Sequence, residues 1–220
     1  MPAFASVVID VDSTLCGVEG IDFLAARRGP EMMQRIVALT DKAMKGEIPL
    51  ESVYGHRLTT IAPTRGDIAA LAAEYERTIA SGAADAVAVM RAATVRLTLV
   101  SGGIREAITP VAQRLGFDDA DVHAVSLRFD ESGNYLDFDR SSPLATQTGK
   151  PVLVGALIDQ GRLLRPVLAV GDGATDAELV GLVDTFAAYT GFARRPNVVA
   201  VADLEVASFA QLEQIVTGQH

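Results

Sequence analysis

The sequence has little of what secreted and membrane-spanning proteins require. Its 220 residues contain one cysteine, Cys16, and no tryptophan. A single cysteine excludes an intrachain disulfide and predicts a reducing compartment such as the cytoplasm. No apolar run approaches the ~20 residues that a membrane-spanning helix needs. The first residues, Met1–Phe4, carry no basic region, so we expect no signal peptide.

Basic residues are also scarce. Lysine and arginine number 19 against 28 aspartate and glutamate residues, so the formal net charge is −9. This balance, without any basic run, argues against nucleic acid or an anionic membrane as partner. An acidic chain can still bind an anionic substrate through a metal ion and a few placed cations. A hydrophobic content of 49% supports a packed core, and the length predicts one core domain with an inserted subdomain.

Strand and helix patterns alternate along most of the chain. Such alternation predicts an α/β fold in which helical crossovers connect parallel strands. The predicted strands are Ser6–Ile9, Arg96–Val100, Pro166–Val170, Thr185–Ala188 and Val198–Val201. The predicted helices include Glu106–Leu115, Lys150–Ile158, Ala177–Val183 and Phe209–Val216.

Two segments interrupt this alternation. Residues 15–84 have the pattern of about four helices, with breaks at Gly29-Pro30, Gly46–Pro49 and Ala62-Pro63. This segment is too long for an ordinary crossover, so we predict a helical cap over the carboxyl edge of the sheet. The core would then consist of residues 1–14 and 85–220. Residues 122–138 alternate apolar and polar side chains around Gly133 and predict a β-hairpin.

Two carboxylates, Asp10 and Asp12, end the first predicted strand. They point to the same side and repel each other unless a cation lies between them. Oxygen ligands of this kind suit Mg²⁺. In such a site Asp10 is the candidate nucleophile toward phosphorus, and Asp12 is the candidate general acid and base. A buried structural acid pair is the alternative, whereas Thr14 at the fifth position excludes an EF-hand loop.

A second acidic cluster, Gly171–Asp176, follows another apolar run. Because the carboxyl ends of parallel strands meet at one edge of the sheet, the two clusters can converge there. We predict that Asp172 is a metal ligand. Asp176 either supports the metal site or caps the following helix.

Two further motifs suit a phosphate group. The Ser101 hydroxyl and the Gly102 amide can donate to phosphate oxygens near the start of a helix, and Gly103 lets the backbone approach closely. A simple tight turn is the alternative. The positive charge of Lys150 lies at the start of its predicted helix, where the helix dipole disfavours a cation. Such a position is unusual for a lysine that has no negative partner. A phosphate group supplies that partner, and a surface position is the alternative.

These four motifs, in this order, resemble the haloacid dehalogenase (HAD) superfamily and, in particular, its phosphoserine phosphatase family. The resemblance implies a Rossmann-like parallel-sheet core with an inserted α-helical cap of the C1 type and a small β-hairpin. It implies hydrolysis through an aspartyl-phosphate on Asp10, with Asp12 as acid and base. It also implies that Asp10, the Asp12 backbone carbonyl and Asp172 hold Mg²⁺.

The resemblance also implies a substrate. Glu19 matches the family glutamate that faces the substrate amino group, and Arg57 matches the arginine that holds the carboxylate. A zwitterionic amino acid needs one anion and one fork-shaped cation, so this pairing is physically sound. Solvated helix positions are the alternative for both residues. Thr175 is expected to support the phosphate or the carboxylate. The expected apolar wall of the cap consists of Met44, Ile48 and Leu50.

The sequence therefore predicts a Mg²⁺-dependent hydrolase of O-phospho-L-serine, with monomer and homodimer both open. One alternative is a phosphotransferase that passes the phosphoryl group to another hydroxyl, such as that of homoserine. A phosphatase of a different small phosphomonoester and a binding module without catalysis are also compatible with the motifs. Arg194 and Arg195, in a loop before the last predicted strand, are predicted to be surface charges.

Overall fold

The computed structural model describes residues 2–44 and 52–218, without the side chains of residues 40–44. The described strands are β1 (Ser6–Ile9), β2 (Arg96–Ile104), β3 (Val122–Val125), β4 (Leu127–Phe129), β5 (Tyr135–Phe138), β6 (Val167–Gly171), β7 (Thr185–Tyr189) and β8 (Leu204–Val206). The described helices are α1 (Gly20–Arg27), α2 (Pro30–Met44), α3 (Val53–Ile61), α4 (Arg65–Arg77), α5 (Ala83–Ala92), α6 (Arg105–Arg114), α7 (Gly149–Asp159), α8 (Ala174–Ala177), α9 (Pro196–Val199) and α10 (Phe209–Thr217). None of the helices in these residues has both the length and the apolar character of a membrane span.

Six of these strands form one parallel sheet in the order β3-β2-β1-β6-β7-β8. The central strand β1 is buried along its whole length, which explains its unbroken apolar character. From β1 the chain passes to β2 and β3 on one side and later to β6, β7 and β8 on the other. The strand order therefore reverses at β1, where open α/β sheets place their sites. The predicted α/β fold is confirmed.

Helices α1 to α4 follow β1 in the chain, before α5 and β2. Helix α1 packs against α2, α3 and α4, and α4 packs against α6 on the sheet. Asp67, in the first turn of α4, accepts hydrogen bonds from Arg27 and Arg28 at 3.1 and 2.7 Å. These ion pairs join the end of α1 to the start of α4 and so hold this layer of helices together.

The predicted helix breaks can be compared with this order. Those at Gly29-Pro30 and Ala62-Pro63 are confirmed, because α1 ends before the first and α3 before the second. The break at Gly46–Pro49 lies outside the described residues. So do the side chain of Met44 and the residues Ile48 and Leu50, which are predicted to line the cap. The division into a core and a cap of residues 15–84 stays a prediction.

The predicted hairpin is confirmed for its second part. Strands β4 and β5 pair antiparallel, with Leu127 opposite Phe138 and Gly133 in the turn at a φ of 82°. The first part was wrong, because residues 122–125 form β3 and pair with β2 in the main sheet. Val125 is fully buried there. The hairpin touches α3, where the ring of Tyr54 meets that of Phe138 edge-on at 5.3 Å.

Two other predicted elements were wrong. Val198–Val201 does not form a strand, since residues 196–199 form α9 and the edge strand is β8. Pro196 at the first helical position favours this helix start and outweighs the β-branched residues after it. The helix predicted at Ala177–Val183 lies earlier, as α8, and turns follow it. Gly181, with a φ of 82°, has a conformation that no helix can contain.

Candidate active site

A cavity of about 300 Å³ lies beside the carboxyl ends of β1, β2 and β6, and helices α1 and α3 contribute to its lining. Eleven residues that the sequence singled out for catalysis, metal binding or substrate binding lie in its lining. These are Asp10, Asp12, Glu19, Arg57, Ser101, Gly102, Gly103, Lys150, Asp172, Thr175 and Asp176. The lining also contains residues that the sequence did not point to, including Tyr54 and Arg195.

Asp10 enters the cavity because β1 ends one residue before it. Its amide donates to the carbonyl of Val170 on β6 at 3.0 Å, which keeps the two strand ends together. The chain then turns back, with Ser13 at a positive φ of 51° and the amide of Leu15 bonded to the carbonyl of Asp10. This turn places Asp10 and Asp12 in the lining of one cavity.

Lys150 binds two carboxylates in the buried floor of the site. Its Nζ lies 2.7 Å from Asp10 Oδ1 and 2.5 Å from Asp176 Oδ1. All three side chains are less than a tenth exposed. Burial disfavours the ammonium, but the two carboxylates raise the pKa of Lys150 above its ordinary value. Burial and Asp176 raise the pKa of Asp10, while Lys150 opposes that shift.

Asp172 is also buried and faces Asp10 across the strand ends. Its Oδ2 accepts a hydrogen bond from Arg195 Nε at 2.7 Å, and Thr14 donates to its Oδ1 at 3.4 Å. Burial raises the pKa of Asp172 to about 6, although Arg195 opposes the rise. A cation bound beside this carboxylate would favour its charged form.

The two arginines of the loop after β7 differ in their surroundings. Arg194 pairs with Glu205 on the surface, as predicted. Arg195 is also exposed, as predicted. The sequence did not indicate that it lines the cavity and bridges Asp172 and Glu19, with its Nη2 3.0 Å from Glu19 Oε1. Strand β7 is the neighbour of β6, so the loop after it reaches the same sheet edge. The sequence has no signal for this strand order.

A buried acidic triad of Asp10, Asp172 and Asp176 could hold a metal ion. One carboxylate oxygen from each lies within 4.8 Å of the others. The carboxylate of Asp12, whose backbone carbonyl was the predicted ligand, is not in this group. Asp176 Oδ2 accepts from the Gly173 amide at the start of α8, which agrees with the predicted capping role, and Oδ1 pairs with Lys150. Its role at a metal site stays a prediction. Buried carboxylate oxygens are the donors that a hard divalent cation prefers, so the site fits such an ion.

Asp12 is held by hydrogen bonds from the helical layer. Its Oδ1 accepts from the Gly20 amide at 3.0 Å and from the Tyr75 hydroxyl at 2.6 Å. Burial raises the pKa of Asp12 to about 7, even though the Tyr75 hydrogen bond lowers it. A carboxyl group that titrates near neutral pH can both donate and accept a proton during a reaction.

The Ser101–Gly103 motif lies inside β2, not in the tight turn that the sequence suggested. The strand continues to Ile104, and its register against β3 shifts within this motif. Ser101 is almost fully buried, and its Oγ accepts a hydrogen bond from the Gly103 amide at 2.9 Å. Helix α6 begins only at Arg105. The motif therefore reaches the cavity as an irregular strand end.

Glu19 and Arg57 come from the helical layer. Glu19 is the N-cap residue of α1, and its Oε1 accepts from the Ser13 hydroxyl at 2.7 Å. Arg57, on α3, forms an ion pair with Asp22 on α1. Arg57 Nε and Tyr54 Oη are buried and have no hydrogen-bond partner in the described part of the chain. Both residues belong to the lining of the cavity.

The chain is similar in sequence to known hydrolases. The family profile of the haloacid dehalogenase-like hydrolases matches residues 7–180. A chloroplastic phosphoserine phosphatase of Arabidopsis thaliana is 35% identical over 209 residues, which cover 94% of this chain and 70% of that protein. The phosphoserine phosphatase of Rattus norvegicus is 32% identical over 207 residues, which cover 94% of this chain and 91% of that protein.

Solved structures support the fold. A substrate-bound phosphoserine phosphatase complex matches with a TM-score of 0.75 at 20% identity and covers 96% of each chain. A phosphoserine phosphohydrolase-like protein from Francisella tularensis matches with a TM-score of 0.80 at 23% identity, over 96% of this chain and 99% of that one. At these identities the likeness concerns the course of the chain and not its chemistry.

Proposed function

The chain belongs to the haloacid dehalogenase-like hydrolases and, within them, to the phosphoserine phosphatase family, and from this we propose that it hydrolyses O-phospho-L-serine to L-serine and phosphate. The observation that carries the proposal is the convergence of Asp10, Asp12, Lys150 and Asp172 in one cavity. These residues come from distant parts of the chain, and each has a role in transferring a phosphoryl group to a carboxylate.

Asp10 is the nucleophile of the proposed reaction. Lys150 holds Asp10 Oδ1 at 2.7 Å, so Oδ2 is the oxygen that attacks phosphorus. The new bond is an acyl phosphate, and the bond from phosphorus to the seryl oxygen breaks. The positive charge of Lys150 offsets negative charge on the carboxylate and on the phosphoryl oxygens. Ser101 and the Gly102 amide donate to those oxygens.

Asp12 moves the protons of both half-reactions. As the seryl oxygen leaves, protonated Asp12 gives it a proton, so that serine departs as a neutral hydroxyl group. Asp12 then takes a proton from the water that attacks the acyl phosphate, which releases phosphate and regenerates Asp10. A pKa of about 7 suits a group that must be acid in one step and base in the next.

We propose Mg²⁺ as the resident metal ion, held by Asp10, the Asp12 backbone carbonyl and Asp172. When bound, it supplies positive charge that reduces the repulsion between the nucleophile and the phosphoryl oxygens. The oxygen donors of this site favour a hard divalent cation. Arg195 and Thr14 donate hydrogen bonds to the two oxygens of Asp172 and so orient the carboxylate that would hold the ion.

The helical layer supplies the proposed amino-acid recognition. Arg57 binds the substrate carboxylate through paired hydrogen bonds, and Glu19 faces the substrate ammonium. The unpartnered Nε of Arg57 supports this role. We propose that residues 15–84 form a cap that closes over the substrate, excludes water during phosphorylation of Asp10, and reopens to release serine.

The first test measures phosphate release from phosphoserine with Mg²⁺ and with a chelator. We expect hydrolysis with Mg²⁺, reversible loss of at least about tenfold with the chelator, and recovery on adding excess Mg²⁺. Mg²⁺ should also raise the melting temperature of the parent protein, because the ion binds the folded state. The Asp172→Asn variant should lose most of that rise. Phosphate transfer only to an added alcohol such as homoserine would instead identify a phosphotransferase.

A second test concerns the substrate carboxylate. We expect Arg57→Gln to lower kcat/KM for phosphoserine by about 10- to 100-fold, because a hydrogen bond to a charged group contributes about 1.5–3 kcal/mol. Phosphoethanolamine lacks the carboxylate, so its kcat/KM should change little. Arg77→Gln, at an exposed position, is the matched control and should leave both values unchanged. Equal losses on both substrates would contradict the assignment of Arg57.

A further inference from the structure

One hydrogen bond at the site comes from a residue with no role in the reaction described above. The hydroxyl of Tyr75 lies 2.6 Å from Asp12 Oδ1, although 63 residues separate the two in sequence. The Gly20 amide donates to the same oxygen at 3.0 Å. None of the described residues donates a hydrogen bond to the other oxygen, Oδ2. The two oxygens of this carboxyl group are therefore in different surroundings.

Tyr75 is rigidly placed. Its side chain is fully buried, and it belongs to α4, which packs on α6 and is joined to α1 through Asp67. Gly20 makes room for the hydroxyl, because a Cβ at that position would lie 2.5 Å from Tyr75 Oη. Burial and the neighbouring Asp12 raise the pKa of Tyr75 above its ordinary value. In this geometry the phenol donates its hydrogen to the Asp12 carboxylate.

Gly103 lies close to the other oxygen of Asp12. A Cβ at Gly103 would lie 2.7 Å from Asp12 Oδ2, closer than any side chain can approach. Only glycine can therefore lie beside Oδ2, the oxygen that carries no hydrogen bond from the described residues. Both Gly103 and Asp12 line the cavity.

We propose that Tyr75 is a positioning residue for proton transfer: it occupies Asp12 Oδ1, so that Asp12 gives and takes its proton at Oδ2. This inference rests on the proposed function, since it assigns an atom to the acid–base step. The proton leaves Oδ2 for the seryl oxygen as the bond from phosphorus to that oxygen breaks. A proton of the attacking water later returns to Oδ2 as the water oxygen bonds to phosphorus. Tyr75 keeps its own proton throughout.

The test uses Tyr75→Phe in the full chain, because phenylalanine keeps the ring and removes only the hydroxyl. Without this hydrogen bond only the Gly20 amide still donates to Asp12 Oδ1, so the carboxyl group is held less firmly and proton donation to a poor leaving group suffers. General acid–base catalysis contributes about 10²–10⁴-fold, so partial misplacement should slow serine release in a single turnover by about 10- to 100-fold. Unchanged serine release would overturn the proposal.

A comparison of substrates with different leaving groups distinguishes a positioning role of Tyr75 from a merely structural one. Acetyl phosphate releases acetate, a weak base that departs without a proton, so its kcat/KM should fall less than about threefold in Tyr75→Phe. Equal losses on phosphoserine and acetyl phosphate would also overturn the proposal. The matched control is Tyr189→Phe, which removes the hydroxyl of another buried tyrosine, on β7, and should leave both substrates unaffected.

Failure of the proposed function would give different results from failure of the proposal for Tyr75. If the parent enzyme releases no serine from phosphoserine, or if Asp12→Asn releases it at the parent rate, the assignment of Asp12 itself is wrong. If the parent enzyme is active and Asp12→Asn is inactive while Tyr75→Phe behaves like the parent, only the role of Tyr75 is wrong.

Discussion

Asp10→Asn is expected to release phosphate from phosphoserine more than about a thousand times more slowly than the parent enzyme, as loss of a nucleophile does in other enzymes. An amide does not form the acyl phosphate, and no other described carboxylate takes its place. Of the other members of the acidic triad, Asp172 accepts a hydrogen bond from Arg195. Asp176 accepts hydrogen bonds from Lys150 and from the Gly173 amide. The measurement is steady-state phosphate release with Mg²⁺ present.

The fold should survive this change. Asparagine has nearly the same shape as aspartate, and Lys150 keeps its partner Asp176 at 2.5 Å. The circular dichroism spectrum and a cooperative unfolding transition should therefore be retained. Asp85→Asn, at an exposed position in the first turn of α5, is the matched control with parent activity. Turnover by Asp10→Asn within tenfold of the parent enzyme would rule out Asp10 as nucleophile.

The second large effect is expected at Lys150. Replacing it with methionine leaves Asp10 and Asp176 buried without their shared cation. Removing one partner of a buried ion pair typically costs about 3–5 kcal/mol of unfolding free energy. We expect a loss in this range for Lys150→Met, measured by urea unfolding without metal, together with loss of phosphoserine hydrolysis.

Two comparisons make this result specific. Arg140→Met removes an exposed cation that pairs with Asp137, and such surface pairs contribute at most about 1 kcal/mol. The double variant Lys150→Met/Asp176→Asn removes one of the two stranded charges and should recover part of the lost stability, because the residues form one network. If Lys150→Met lost no more unfolding free energy than Arg140→Met, the buried ion pairs of Lys150 with Asp10 and Asp176 would be contradicted.

Several features of this protein were readable from single segments. The apolar run Ser6–Ile9 ending on Asp10 predicted a buried parallel strand that delivers a carboxylate to the sheet edge, and β1 has those bounds. Lys150 was conspicuous because a lysine at a helix start needs a negative partner, and it has two. Such features depend on local pattern and on the energetic cost of unpaired charge, so they can be recognised without coordinates.

Other features depended on neighbours that are far apart in the chain. Arg195 entered the site because β7 lies beside β6, and Tyr75 reached Asp12 because α4 packs near the end of β1. The strand predicted at residues 198–201 was wrong because Pro196 favours a helix start there. By itself the sequence determined the parallel sheet and most of the charged residues at its edge. Only the tertiary structure decided which of these charges meet and which oxygen of Asp12 accepts hydrogen bonds from the helices. The reason is that strand order and helix packing are set by long-range contacts that no local pattern records.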